Sequence, residues 1–174
     1  MTRLSVATWP PSHVVATLAA LDRPAVPGVR WSTPAQWAVK LRPLGHVDGR
    51  VVPRLVEALR AELAGAPAAR CALGPATRRL GGQWLGVPVG GLDDLAADVF
   101  AATAELVPVT HPQPFQADVV LARGRVPREL AGVPVSASWT ARSLALVADR
   151  SSPRGARYED LAVLPLGAPA GRPR

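Results

Sequence analysis

Two short segments of the chain hold the charged residues best suited to handling a phosphate group. Residues 34–42 and 114–123 align without a gap, and both begin Pro-x-Gln-x-x-Val-x-Leu. The two segments carry four candidate ligand-binding residues: Lys40, Arg42, Asp118 and Arg123. Ammonium and guanidinium groups bind phosphate oxygens, and a carboxylate can accept a proton. The two segments therefore predict a ligand-binding site built from both halves of the chain.

Each segment is a short apolar run that follows a proline, and this pattern predicts a β-strand. Side chains alternate between the two faces of a strand. We therefore expect Lys40 and Arg42 to share one face of the first strand. In the second strand, Asp118, Val120 and Ala122 are expected to share a face. The apolar faces predict covering helices, and the other faces are expected to line one groove between two related halves.

These segments resemble the paired His-x-Thr-x motifs of the 2H phosphoesterase superfamily, in the branch of 2'-5' RNA ligases or RNA 2',3'-cyclic phosphodiesterases. Ala38-Val-Lys-Leu-Arg-Pro-Leu-Gly45 stands where that family typically reads His-Leu-Thr-Leu-Arg-Phe-Leu-Gly. Pro114-Phe-Gln-Ala-Asp-Val-Val-Leu-Ala-Arg123 stands where it reads Pro-Phe-x-Pro-His-Ile-Thr-Leu-Ala-Arg. Ala38 and Asp118 occupy the histidine positions, and Lys40 and Val120 occupy the threonine positions.

The resemblance implies an α+β fold with two pseudo-symmetric lobes of antiparallel sheet lining a central groove, and with helices outside. Residues 1–167 are expected to form a single 2H phosphoesterase-like domain, and residues 168–174 a flexible C-terminal tail. Residues 37–42 and 117–122 are expected to be strands in opposite lobes. Further along, strands are predicted at 69–75 and 83–89, joined by a turn at 78–82. Residues 137–149 and 157–165 are predicted to form a final hairpin.

In the family, two histidines act as general base and general acid on a 2',3'-cyclic phosphate, and the threonines bind the phosphate. Histidine suits this task because its pKa lies near neutrality. Ala38 can neither take nor give a proton, and Asp118 has no partner acid. The resemblance therefore implies a protein that has lost both catalytic histidines and keeps the groove. We expect Lys40 to anchor a phosphate and the groove to be too wide for contact between Lys40 and Asp118.

Two other hypotheses remain open from the sequence. The chain could be an active phosphoesterase with altered chemistry, in which Asp118 is the base and Lys40 its electrostatic partner. Alternatively, it could be a structural or regulatory interaction module whose groove is filled by its own side chains. An open, positively charged groove would favour ligand binding, and a histidine within about 4 Å of Asp118 would favour catalysis.

The remaining candidate groups indicate neither a metal site nor a cofactor. The chain has three histidines, all interpreted as surface or loop residues: His13, His46 and His111. The spacing lacks His-x-x-x-His and Cys-x-x-Cys, and no phosphate-binding or dinucleotide glycine motif occurs. Cys71 lies in an apolar run and is predicted to be a buried thiol. Trp9, at the end of the first strand, is a candidate for stacking on a base.

Composition indicates a globular protein that favours polyanions. Apolar residues make up 48% of the 174 residues, which argues against extensive disorder. The net charge is +7, which favours partners such as an RNA end or a nucleotide. No apolar run is long enough to span a membrane. We therefore predict a cytoplasmic, monomeric protein without a membrane partner.

Overall fold

The computed structural model describes residues 1–109 and 112–167. The chain forms strands and helices in this order: β1 (Thr2–Thr8), α1 (Ser12–Ala19), β2 (Val29–Trp31), β3 (Val39–Val47), α2 (Val52–Leu63), β4 (Ala69–Leu73), β5 (Arg78–Leu80), β6 (Trp84–Gly90), α3 (Asp93–Thr103), β7 (Ala117–Gly124), β8 (Ala137–Ala141), β9 (Ser143–Asp149) and β10 (Tyr158–Pro165). The predicted tail at 168–174 and His111 lie outside the described residues.

Two antiparallel sheets make up the β-structure. The first sheet has the strand order β10-β9-β1-β3, and the second has the order β2-β7-β6-β4-β8, with β5 added beside β6. The two segments that carry the candidate residues form β3 and β7, which lie in different sheets. This confirms the predicted α+β fold and the placement of the two groove strands in opposite lobes.

The helices form because their apolar residues recur on one face. In α2, the side chains of Leu55, Leu59 and Leu63 are four residues apart and are all buried. This helix packs against α3 and β10, while α3 lies against β3. Helices α2 and α3 therefore cover the outer side of the first sheet and leave its other side to face the groove, whereas α1 packs against β8 of the second sheet. Within the described residues, no helix is long and apolar enough to cross a membrane.

Three details of the predicted strand order are wrong. Residues 78–80 form β5 rather than part of a turn, and 29–31 form β2, which pairs with β7. The predicted single strand at 137–149 is two strands: β8 pairs with β4 in one sheet, and β9 pairs with β1 and β10 in the other. Only Arg142 separates them. The sequence conceals this crossing, because the alternating buried residues of β8 run into the five consecutive buried residues of β9 with little between them.

Candidate functional site

A β-bulge divides the two cations of the first segment between opposite faces of its sheet. Ala7 on β1 pairs with Lys40, but the preceding residue Val6 pairs with Arg42, so Leu41 is an extra residue in β3. A bulge reverses the facing of the residues beyond it. Lys40 consequently faces the groove, whereas Arg42 faces the helices. The prediction that Arg42 shares a face with Lys40 is wrong.

Arg42 is buried beneath α3 and binds the protein itself. Its guanidinium donates to the hydroxyl oxygen of Thr103 and to the backbone carbonyl of Val107. It also lies 5.3 Å from the centre of the Phe100 ring. Burial lowers the pKa of this guanidinium. Arg42 therefore joins the sheet to α3 and is not a member of the groove site.

The second segment contains a bulge at the equivalent leucine. Val120 pairs with Gly86 and Ala122 with Leu85, which leaves Leu121 as the extra residue of β7. Ala122 is consequently buried in the main core and does not face the groove with Asp118 and Val120, contrary to the alternation predicted from the sequence. The next residue, Arg123, instead returns to the groove face.

Ala38, which stands at the position of the first histidine of the family, lies in a closed apolar cluster. Ala38 is only 6% exposed and packs with Ala7, Ala145 and Val147. The aromatic rings of Trp9 and Tyr158 pack against this cluster, with their centres 6.3 Å apart. The indole nitrogen of Trp9 donates to Asp160 at 2.9 Å. Aromatic side chains of the protein thus occupy the space beside Ala38.

Lys40 lies next to this cluster in a strongly positive environment. Its Nζ is 5.7 Å from the centre of the Tyr158 ring. Burial lowers the pKa of Lys40, the charges of Arg123 and Arg3 lower it further, and Asp149 opposes them. A pocket of about 40 Å³ lies beside the amine. Its lining includes four further polar residues: Arg3, Ser5, Asp149 and Tyr158.

The influence of Arg123 on Lys40 links the two sheets, because Arg123 belongs to β7 and Lys40 to β3. The Arg123 guanidinium lies 5.2 Å from the centre of the Trp84 ring, which is 43% exposed. Burial and the charge of Asp149 raise the pKa of Tyr158, while the charge of Arg123 lowers it. Lys40, Arg123 and Tyr158 therefore meet in one part of the groove.

Asp118 pairs with an arginine that the sequence analysis did not predict as its partner. Its Oδ1 accepts from Nη2 of Arg78 at 2.9 Å. The Gln116 amide oxygen, in the orientation that satisfies its hydrogen bonds, accepts from Nη1 of Arg78 at 2.9 Å. Asp118 is thus paired within its own sheet. Within residues 1–109 and 112–167, the ion pairs formed do not include Lys40.

Arg78 was missed by sequence reasoning, which assigned it to a turn. The only signal was its place in the basic dipeptide Arg78-Arg79. Strand β5 pairs Arg78 with Gly86, so that its side chain reaches Asp118 two strands away. Gly86 leaves room for close packing here, because a Cβ at this position would lie 2.7 Å from Cδ1 of Leu80 and 3.0 Å from the Val119 carbonyl oxygen.

The described histidines lie away from Asp118. His13 contacts the Ser138 carbonyl oxygen through Nε2 at 2.9 Å, and His46 pairs with Arg3 at the other end of β3. In the described ranges, the hydrogen-bonding partner of the Asp118 side chain is Arg78. No group of three or more His, Cys, Asp or Glu residues in these ranges is arranged to hold a metal ion. The geometry supports anion binding better than proton transfer.

Comparison with solved structures identifies the fold. The chain superimposes on TT0787 of Thermus thermophilus with a TM-score of 0.84 and 22% identity, covering 96% of this chain and 99% of that one. Escherichia coli LigT complexed with 3'-AMP gives a TM-score of 0.80 and 20% identity, with 96% and 99% covered. A structure described as a phosphoesterase gives 0.79 and 20%, with 97% and 100% covered.

No protein-family model matches the chain, and no curated protein matches it significantly. The structural likeness confirms the fold expected from the two aligned segments. The chain has the fold of LigT along nearly its whole length.

Proposed function

We propose that the protein binds the phosphate of an RNA end or nucleotide in its groove without catalysing hydrolysis. The observation that carries this proposal is a gathering of cations: Lys40 and Arg3 line one pocket, and Arg123 of the opposite sheet is close enough for its charge to lower the pKa of Lys40. These cations repel one another, and an anion between them would relieve that repulsion. Asp118 does not neutralise them, because its carboxylate is paired with Arg78.

The neighbours support the choice of ligand class. LigT has been solved with 3'-AMP, with NADP+ and with ATP, all of which carry phosphate. In this chain, the exposed ring of Trp84 beneath Arg123 offers an aromatic face next to the cations. Aromatic faces stack on bases without requiring a particular sequence. The cations that would bind the phosphate of a nucleotide and the Trp84 ring that would stack on its base therefore lie close together.

The absence of catalysis follows from the groups at the two motif positions. Ala38 carries no ionisable group and lies under Trp9 and Tyr158. The Asp118 carboxylate is held by the Arg78 guanidinium, which donates to its Oδ1. A base and an acid typically contribute about 10²- to 10⁴-fold each to such reactions. Purified protein should therefore show no hydrolysis of 2',3'-cyclic AMP above blank.

Binding is tested by titrating the protein with 3'-AMP and measuring the dissociation constant by calorimetry. Lys40→Ala should weaken binding about 5- to 30-fold, the value of about one charge-assisted hydrogen bond. Arg60→Ala is the matched control, because Arg60 is exposed on α2 and the substitution removes the same charge away from the groove. Equal affinity of wild type and Lys40→Ala would exclude Lys40 from the site.

Two outcomes would favour the other hypotheses. Hydrolysis that disappears in Asp118→Asn would show an active phosphoesterase with Asp118 as base. Wild-type protein that binds neither 3'-AMP nor a 3'-phosphorylated RNA oligomer would favour an interaction module. The packing of Trp9 and Tyr158 on Ala38 is the observation behind this second candidate, because it fills part of the groove with the protein's own side chains.

A further inference from the structure

We infer that Lys40 is a nucleophilic amine that forms a reversible imine with aldehydes carrying a phosphate group. The inference rests on the proposed phosphate-binding groove and adds a covalent step to it. Lys40 is the only lysine in the chain, in which every other basic residue of the Lys/Arg type is arginine. This single ε-amine lies beside a pocket at the meeting point of the two sheets.

The surroundings of Lys40 combine accessibility with a disfavoured positive charge. Its side chain is exposed to solvent, yet enough protein surrounds the amine for burial to be the main cause lowering its pKa. Arg3 on β1 and Arg123 on β7 act in the same direction, and Asp149 on β9 acts in the opposite one. Lysines placed next to other cations or in apolar surroundings are the ones that form imines in proteins.

The neighbouring side chains suit the chemistry of imine formation. The neutral amine donates its electron pair to the aldehyde carbon, and the nitrogen releases a proton as the carbonyl oxygen takes one up, which gives a carbinolamine. The hydroxyl then takes up a second proton and leaves as water, while the nitrogen forms the carbon–nitrogen double bond and releases its remaining proton. Tyr158, beneath the amine, and Asp149, across the pocket, are groups able to exchange these protons. The phosphate of the aldehyde would be attracted by Arg3 and Arg123.

The 174-residue chain provides a direct test, because its primary amines are Lys40 and the α-amine of its first residue. The native protein is mixed at pH 7 with pyridoxal 5'-phosphate or with neutral pyridoxal, and imines are trapped with borohydride. Peptide mass spectrometry then compares labelling of the two amines. The same reaction on protein unfolded in urea gives the reactivity of Lys40 without its surroundings.

We expect native Lys40 to react with pyridoxal 5'-phosphate several-fold faster than unfolded Lys40, since a lowered pKa leaves more of the amine in its neutral, nucleophilic form. It should also react faster with the phosphorylated aldehyde than with pyridoxal. Arg3→Gln should move the labelling profile to higher pH, and Arg60→Gln should not. Native labelling no faster than in urea, or an unmoved profile in Arg3→Gln, would overturn the inference.

Failure of the proposed function would look different. Excess 3'-AMP should slow labelling of Lys40 if nucleotides bind in the groove. Rapid labelling that 3'-AMP does not slow would support the reactive amine and contradict nucleotide binding. Calorimetric binding of 3'-AMP together with slow labelling would support nucleotide binding and contradict the reactive amine.

Discussion

The ion pairs Arg78–Asp118 and Arg50–Asp48 differ in exposure, and the carboxylate of Asp118 is the less exposed of the two. Their side chains are 36% and 13% exposed, whereas those of Arg50 and Asp48 are 91% and 42% exposed. Arg78→Ala would leave a largely buried carboxylate without its partner. We expect it to lower the free energy of unfolding by about 1–2 kcal/mol, and Arg50→Ala to lower it by less. Urea unfolding of both variants measures the difference, and equal losses would contradict it.

Lys40 should affect stability in a pH-dependent way. Its pKa is lower in the folded than in the unfolded chain, so its charged form disfavours folding. This penalty is fully present below the folded pKa and disappears as pH rises toward the unfolded value of about 10.4. Lys40→Met should therefore be more stable than wild type at pH 7, with the advantage shrinking in alkaline solution.

The measurement for Lys40→Met is the difference in urea midpoint between the variant and wild type from about pH 7 to about pH 10.5, which spans the titration of a lysine. Arg60→Met serves as the control, and its difference should not change over this range. An advantage of Lys40→Met that grows with pH would reverse the sign of the argument.

Two glycines of the strands, Gly124 and Gly45, have positive φ values but differ in how closely other atoms approach them. Gly124 ends β7 directly after Arg123 with φ +112°, and a Cβ there would lie 2.0 Å from the Gly28 carbonyl oxygen. Gly45 in β3 has φ +69°, but no atom lies within 4 Å of its Cβ position. Gly45→Ala should cost about 1–2 kcal/mol from backbone strain alone. Gly124→Ala should cost more, about 3–5 kcal/mol, since the β2 backbone must also move.

Thermal or urea unfolding of these two glycine variants checks the ranking. A larger loss of stability in Gly45→Ala than in Gly124→Ala would show that the approach of β2 to β7 is less tight than described. The 3'-AMP affinity of Gly124→Ala gives a second readout, because displacement of this turn would shift the neighbouring Arg123.

The bulges of β3 and β7 show what a sequence pattern can and cannot predict about an element. Both strands could be located because each has apolar residues at alternating positions behind a proline. The extra residues, Leu41 and Leu121, carry no sign of their own, since a bulged leucine is as apolar as a paired one. For this reason, the pattern located both strands but assigned Arg42 and Ala122 to the wrong faces.

Across the whole molecule, the fold was more predictable than the site. The α+β fold follows from local patterns that extend over the chain, and the structural neighbours confirm it, although the predicted strand order missed β2, β5 and the crossing between β8 and β9. The Arg78–Asp118 pair joins residues 40 positions apart, and the alignment of β5 that creates it depends on three strands together. Such long-range pairs cannot be derived from spacing within a single segment.

The excess of positive charge should make nucleotide binding sensitive to salt. With a net charge of +7 and cations facing the groove, the affinity for 3'-AMP should fall several-fold between about 0.05 M and 0.5 M NaCl. Calorimetric titration at the two concentrations measures this, with uncharged adenosine as the control ligand. An affinity for 3'-AMP that is independent of salt would indicate that stacking, rather than charge, holds the nucleotide.

The crossing of the chain at Arg142 means that neither lobe is encoded by a continuous stretch of sequence. The first sheet takes β1 and β3 from the beginning of the chain and β9 and β10 from its end, while β2 from the beginning pairs with β7 in the second sheet. A protein severed between α2 and β4 would give two fragments with unpaired strand edges on each. The two fragments should regain structure only when they are mixed. Recovery of structure in the mixture would therefore report their association.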